Sequence, residues 1–180
     1  HLRAAFAQAR NDDDWYVEPP SCVHSLFDAV QFEGVIHDPC CGQGTIPEVA
    51  IARGYNATAS DLRDRGYPLS VSGRDFFVDT TRRENIVSNP PYNLGEQFVH
   101  HALEFTYRKV AIVMRLSFLA GQKRRRSLFD IRPPAVVVIL STRPSMPPGG
   151  TDVPAKGGTA DYCWCVWSHA YFGPTEMVWS

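Results

Sequence analysis

Residues 88 to 93 read Ser-Asn-Pro-Pro-Tyr-Asn and follow the apolar pair Ile86-Val87, so a strand is expected to end in a stiff turn carrying an amide and an aromatic ring. The Asn89 side-chain oxygen and the Pro90 carbonyl are two acceptors that can take both hydrogens of one amino group. Pro90 and Pro91 have restricted torsions and no N–H of their own, so these acceptors are held with little reorganisation. Tyr92 adds a flat ring on which a planar group can stack. Such a set suits an exocyclic aromatic amine, whose lone pair is delocalised and therefore a poor nucleophile. Binding both N–H hydrogens favours a pyramidal nitrogen and the positive charge that develops when it attacks an electrophile. No general base of lowered pKa is needed if the proton leaves after transfer. The plain alternative is an ordinary proline turn.

A second constellation is "HDPCCGQGTIPE", residues 37 to 48. Gly42 and Gly44 allow a tight turn and close approach of backbone to a ligand, and the following helix offers free N–H groups. Asp61, at the end of the next apolar run, stands where a carboxylate can accept hydrogen bonds from two ribose hydroxyls. A G-x-G with a downstream acid also occurs in nicotinamide-dependent dehydrogenases. Here Pro47 takes the place of the third glycine, and Asp38-Pro39 precedes the turn. A carboxylate inside the turn repels a pyrophosphate and suits a cation such as the ammonium of S-adenosylmethionine. The absence of G-K-[ST] excludes a P-loop.

These turns need a scaffold that brings strand ends together, and apolar runs of strand length alternate with helical patterns, as in a mainly parallel sheet covered by helices. Strands are expected at 34–38, 57–60, near 69–71, and at 85–88, 110–114, 135–140 and 162–167. Helices are expected at 47–53, at 96–107 and around the basic run Lys123-Arg124-Arg125-Arg126. The last two strands, joined by a long loop without a helix, should pair antiparallel. Trp164 and Trp167 should point to opposite faces, and His100-His101 reads as structural or solvent-exposed.

At 180 residues, 44% hydrophobic and 21% charged, the chain suits one sizeable core, and 1–180 is expected to be one domain. No apolar run approaches the roughly 20 residues of a membrane span, so a soluble, cytoplasmic protein without a membrane partner is expected. A net charge of −1 excludes a globally basic nucleic-acid binder, yet the basic run and the acidic Asp12-Asp13-Asp14 show an uneven distribution. Five cysteines without a C-x-x-C pair indicate neither a disulfide framework nor a metal site, and reduced interior thiols are expected. The Pro- and Gly-rich stretch of 141–161 is long and irregular, as functional loops are.

D-P-C-C-G-Q-G followed by N-P-P-Y resembles the class I S-adenosylmethionine-dependent methyltransferases, in the branch that methylates amino groups of DNA adenine. The likeness covers most of the chain, and "LSFLAGQKRRRSLF", "RPPAVVVILSTRPSMP" and "DYCWCVW" are similar to small phage-type members. It implies a Rossmann-like α/β fold, a mostly parallel seven-stranded sheet with an antiparallel C-terminal hairpin strand and helices on both faces. It also implies that Asp38, Pro39, Cys41, Gly42 and Gly44 hold the methionine part of the cofactor, with Asn89 beside it. Asp61 with Leu62 would hold the ribose, and Asp75 and Phe76 of "GRDFF" the adenine. The segment 1–33, through Tyr16, Pro19 and Pro20 of "DWYVEPP", would cover the cofactor. The loop 141–161 would face the target, with no separate target-recognition domain. A flipped-out base would meet Asn89, Pro90, Pro91 and Tyr92, and Lys123, Arg124, Arg125 and Arg126 are candidates for holding the nucleic-acid strand. DNA is the first expected partner. RNA adenine and protein glutamine are alternatives for the same turn, and a non-catalytic cofactor-binding subunit or a nicotinamide dehydrogenase are readings from other classes.

Overall fold

The computed structural model describes residues 14–152 and 154–180. Asp12 and Asp13 of the acidic run, the first part of the covering segment and residue 153 of the Pro/Gly-rich loop lie outside them.

Among the described residues eight strands form one sheet: β1 (Ile36–Asp38), β2 (Ala57–Ser60), β3 (Ser70–Val71), β4 (Arg83–Ser88), β5 (Thr106–Arg115), β6 (Val136–Ile139), β7 (Tyr162–Ser168) and β8 (Glu176–Trp179). Among the described residues four helices accompany them, α1 (Pro20–Ala29), α2 (Thr45–Ala52), α3 (Gly95–Phe105) and the single turn α4 (Gln122–Arg124), which continues as a wider π turn over Arg125–Phe129. The strand order is β3-β2-β1-β4-β5-β7-β6-β8. All neighbours run parallel except β7, which is antiparallel to both β5 and β6.

Strand periodicity explains the layers. In β4 and β5, Val87, Ala111 and Val113 enter one core with Val23, Leu26 and Ile46 of α1 and α2. Their sequence neighbours Ile86, Val110, Ile112 and Met114 enter the other, with Phe98, Val99 and Ala102 of α3. Trp164 and Trp167 fall into different cores in the same way, and each indole N–H donates to a carbonyl, of Cys22 and Arg132 respectively, at 2.8 Å.

The seven-strand expectation needs one correction, because β8 adds an eighth strand and puts β6 inside the sheet. Glu176–Trp179 is short, mostly exposed and without alternation, since it covers only the outer edge of β6. The helix α1 was equally invisible beside the double proline. Pro20 occupies its first turn, where no N–H partner is lost, and Cys22, Val23, Leu26 and Phe27 form its buried stripe. Among the described residues no helix is long and apolar enough to cross a membrane, and all five cysteines are free thiols.

Candidate active site

β2 lies on one side of β1 and β4 on the other, so the chain leaves the carboxyl ends of β1 and β4 toward opposite halves of the sheet and opens a crevice there. Asp38 ends β1 and Ser88 ends β4. The Ser88 hydroxyl donates to Asp38 Oδ1 at 2.7 Å, and the Cys40 N–H donates to the same oxygen at 3.1 Å. Oδ2 is buried with no partner among the described residues. Burial, then the nearby Glu18 carboxylate, push the Asp38 carboxyl well above its ordinary range, with Asp61 adding to the effect. Such an unmatched buried acid is a place for a cation.

The glycine turn is shaped by two rings. Gly42 has φ 53°, and a Cβ there would lie 2.7 Å from the Trp15 indole nitrogen; Gly44 has φ 90°, and its Cβ would meet the Tyr67 ring at 2.3 Å. Asp61 closes the turn from β2: its Oδ2 accepts from the Gly42 N–H at 2.9 Å and its Oδ1 from the Arg63 N–H at 3.0 Å. Beside it lies a cavity of about 260 Å³. Pro39, Cys40, Asp61 and Leu62 form one wall, Asp75, Phe76 and Phe77 a second, and Asn89, Pro91 and Trp15 a third. Asp75 Oδ1 accepts from the Phe77 N–H at 2.9 Å and starts the turn that carries Phe76, itself packed at a tilt against Phe98 with ring centroids 4.5 Å apart. Of the adjacent thiols, Cys40 lines the cavity. Cys41 instead packs with Ala59 and Tyr67 and directs its thiol to Ser70 Oγ at 3.2 Å. Burial, then the carboxylates of Asp38 and Asp61, hold the Cys40 thiol well above its ordinary range and hence protonated.

The Asn-Pro-Pro-Tyr turn forms the third wall and meets the segment before α1. The Asn89 amide donates to the Tyr16 carbonyl at 3.0 Å and to Glu18 Oε2 at 2.9 Å. Among the described residues, no hydrogen bond occupies Asn89 Oδ1 or the Pro90 carbonyl. Tyr92 is stacked on Tyr16, with ring centroids 5.5 Å apart, and donates its hydroxyl to Met146 Sδ at 3.0 Å. Arg115, at the end of β5, places its guanidinium 5.6 Å from the Tyr92 ring centre. Pro19 precedes α1 and accepts from the Cys22 N–H at 3.0 Å. The covering segment is hooked to the Pro/Gly-rich loop: the Val17 N–H donates to Pro147 and the Gly149 N–H to Trp15, at 2.9 and 2.8 Å.

The basic run is divided. Arg124 turns inward, donating to the carbonyls of Phe118 and Ala120 at 2.7 and 3.1 Å and lying 4.4 Å from the Phe118 ring centre. Lys123, Arg125 and Arg126 are exposed, Arg125 with Asp130 at 3.3 Å. All four lie away from the walls of the cavity.

Sequence reasoning singled out Pro39, Asp61, Leu62, Asp75, Phe76, Asn89 and Pro91 among the cavity-lining residues and missed Trp15, Cys40, Arg63, Arg65, Arg74 and Leu94, as well as Glu18 behind Asn89. Trp15 and Glu18 stand inside "DWYVEPP", Trp15 just before Tyr16 and Glu18 between Tyr16 and Pro19. Their roles depend on contacts with residues far along the chain.

No family model matches the sequence, and no curated protein does. Solved structures do match its fold. A candidate RNA methyltransferase from Pyrococcus horikoshii is 16% identical, with 82% of this chain and 81% of that one covered and a TM-score of 0.58. An S-adenosylmethionine-dependent O-methyltransferase from Thermotoga maritima is 13% identical, with 89% and 69% covered and a TM-score of 0.54. Magnesium protoporphyrin IX methyltransferase from Synechocystis, solved with S-adenosylhomocysteine bound, is 12% identical, with 83% and 80% covered and a TM-score of 0.53. The chain thus has the Rossmann-like fold of the class I methyltransferases, a mostly parallel sheet with one antiparallel strand near its C-terminal end.

Proposed function

We propose that the protein is an S-adenosylmethionine-dependent methyltransferase that methylates the exocyclic amino group of adenine in DNA. The observation that carries this reading is the state of Asn89. Both hydrogens of its amide are committed to Tyr16 and Glu18, so its oxygen is left at the cavity wall as an acceptor. The Pro90 carbonyl is the second acceptor of the pair.

The residues present fit the cofactor. Asp38, buried with an unpartnered oxygen, supplies negative charge for the methionine ammonium; Asp61 offers a carboxylate to the ribose, and Asp75 and Phe76 an edge and a face to the adenine. When bound, the cofactor supplies an electrophilic methyl group whose carbon–sulfur electron pair departs with sulfur. Asn89 Oδ1 and the Pro90 carbonyl hold the two N–H hydrogens, which aims the nitrogen lone pair at the methyl carbon. The nitrogen, cationic once the new N–C bond has formed, releases one proton to water. Tyr92 and Arg115 flank the place for the target ring. In this structure Tyr16 covers one face of Tyr92, so a base entering there uses the other face or displaces Tyr16.

Asn89→Ala is expected to leave S-adenosylhomocysteine affinity within about threefold and to lower methyl transfer at least about 100-fold. Labelled cofactor offered to DNA, RNA and protein, with mass analysis of the digested product, reads both the acceptor and the position. Retained turnover in Asn89→Ala, or label in protein alone, overturns the reading. RNA is the second acceptor to assay, because the Pyrococcus neighbour is described as a candidate RNA methyltransferase.

A further inference from the structure

A carboxamide has two ends of nearly equal size, and what it recognises depends on which end faces the substrate. Turned one way, Asn89 presents an oxygen and accepts from an amine. Turned the other way it presents NH2 and binds a ring nitrogen or a carbonyl. The two atoms that surround the inner end are both acceptors. The Tyr16 carbonyl can only accept, and its position is fixed by the hydrogen bonds of Trp15 and Val17 to the loop at 147 to 149. The Glu18 carboxylate, only 6% exposed, can only accept when ionised. An amide turned over would set its oxygen against both.

We propose that Glu18 is a positioning residue that locks the Asn89 carboxamide with its oxygen toward the cavity, and so restricts the methyl acceptor to an amino group. The proposal rests on the methyltransferase reading above and adds the residue that decides which chemical class enters the site. A carboxylate does this better than a neutral acceptor, and Glu18, raised by burial to about 7, is a carboxylate above that pH. The charge-assisted N–H···O⁻ bond also polarises the carboxamide and makes its far oxygen a stronger acceptor. The titratable groups around Glu18 are Asp38 at the end of β1, Cys22 on α1 and Tyr92 of the turn. Cys22 and Tyr92 are held protonated by burial, and Asp38, itself raised well above its ordinary range by burial and then by Glu18, is the one neighbour of the three that competes with Glu18 for negative charge.

Two variants and two readouts test this. Glu18→Ala is expected to lower kcat for DNA methylation about 10- to 100-fold with KM for the cofactor little changed. Glu18→Gln, whose amide oxygen still accepts, is expected to recover part of the loss. In NMR, the Asn89 side-chain amide signals, identified by their disappearance in Asn89→Ala, should be slow to exchange and shifted downfield in the wild type. In Glu18→Ala they should move and exchange faster. Unchanged kcat in Glu18→Ala, or unmoved Asn89 signals, overturns the proposal. A wild-type protein that methylates no nucleic acid defeats the methyltransferase reading instead, while the NMR comparison still decides whether Glu18 holds Asn89. Should Glu18→Ala fail to fold, Glu18→Gln carries both readouts, with an intermediate kcat and an intermediate shift expected and wild-type values for both counting against Glu18.

Discussion

Asp61 spends both carboxylate oxygens on backbone N–H groups, one on the Gly42 turn and one on Arg63. A carboxylate oxygen has lone pairs left after one such bond, so Asp61 can hold the turn and still accept from ribose hydroxyls. Asp61→Ala is therefore expected to weaken S-adenosylhomocysteine binding about 10- to 100-fold, the range for hydrogen bonds to a charged group. Calorimetry with S-adenosylhomocysteine, and with NAD as the competing ligand, measures it; unchanged affinity would remove Asp61 from the ribose site. Residues of this kind were legible because geometry dictates their type: a positive φ calls for Gly42 and Gly44, and a strand end that meets a turn calls for Asp38 or Asp61. Glu18 and Trp15 were not. Glu18 acquires its role from a residue 71 positions away, and Trp15 from the missing Cβ atoms of Gly42 and Gly149, and no spacing in the sequence encodes either contact.

At the scale of elements, the basic run shows how a charge pattern and a packing role overlap. Gln122–Arg124 is one helical turn followed by a π turn, and that change of winding sends Arg124 inward while its neighbours face water. Arg124 binds two carbonyls and stacks on Phe118, so Arg124→Ala is expected to lower unfolding free energy by about 1–3 kcal/mol. Lys123→Ala with Arg126→Ala should leave stability unchanged and reduce the salt dependence of DNA binding by about two phosphate contacts. Denaturant unfolding and fluorescence titration at several salt concentrations separate the two variants, and equal salt slopes for the double variant and wild type would take this run away from the nucleic acid. The buried strands were legible for a related reason. β5, β6 and β7 have buried sides with continuous apolar runs and β4 has the buried pair Ile86-Val87, whereas β8 touches one edge only and α1 is recognised through its cap and stripe once the sheet beneath it is known.

For the whole molecule, two buried titratable groups act on stability in opposite senses. His37 sits between Thr58 Oγ1 and Ser60 Oγ at 2.7 and 3.1 Å, and burial, then the Arg83 charge, lower its pKa from 6.5 to about 4. Between those values the unfolded chain binds a proton that the folded chain does not, so this contribution is complete above pH 6.5 and is lost as pH falls toward 4. Glu18 behaves oppositely, because burial raises it from 4.5 to about 7 against the smaller pull of its bond to Asn89. Here the folded chain holds the proton, so the contribution is complete below pH 4.5 and is lost as pH rises to 7. From pH 4.5 to 6.5 the two slopes cancel in the wild type, and Asp38, also raised, adds to the side of Glu18. Glu18→Gln removes one partner of this balance. Relative to wild type, its unfolding free energy should climb with pH from 4.5 to 7, at no more than about 1.4 kcal/mol per pH unit for the single proton involved. Denaturant unfolding of both proteins across that range measures the difference. Parallel curves would mean that Glu18 is ionised throughout, held by a charge partner stronger than the Asn89 amide.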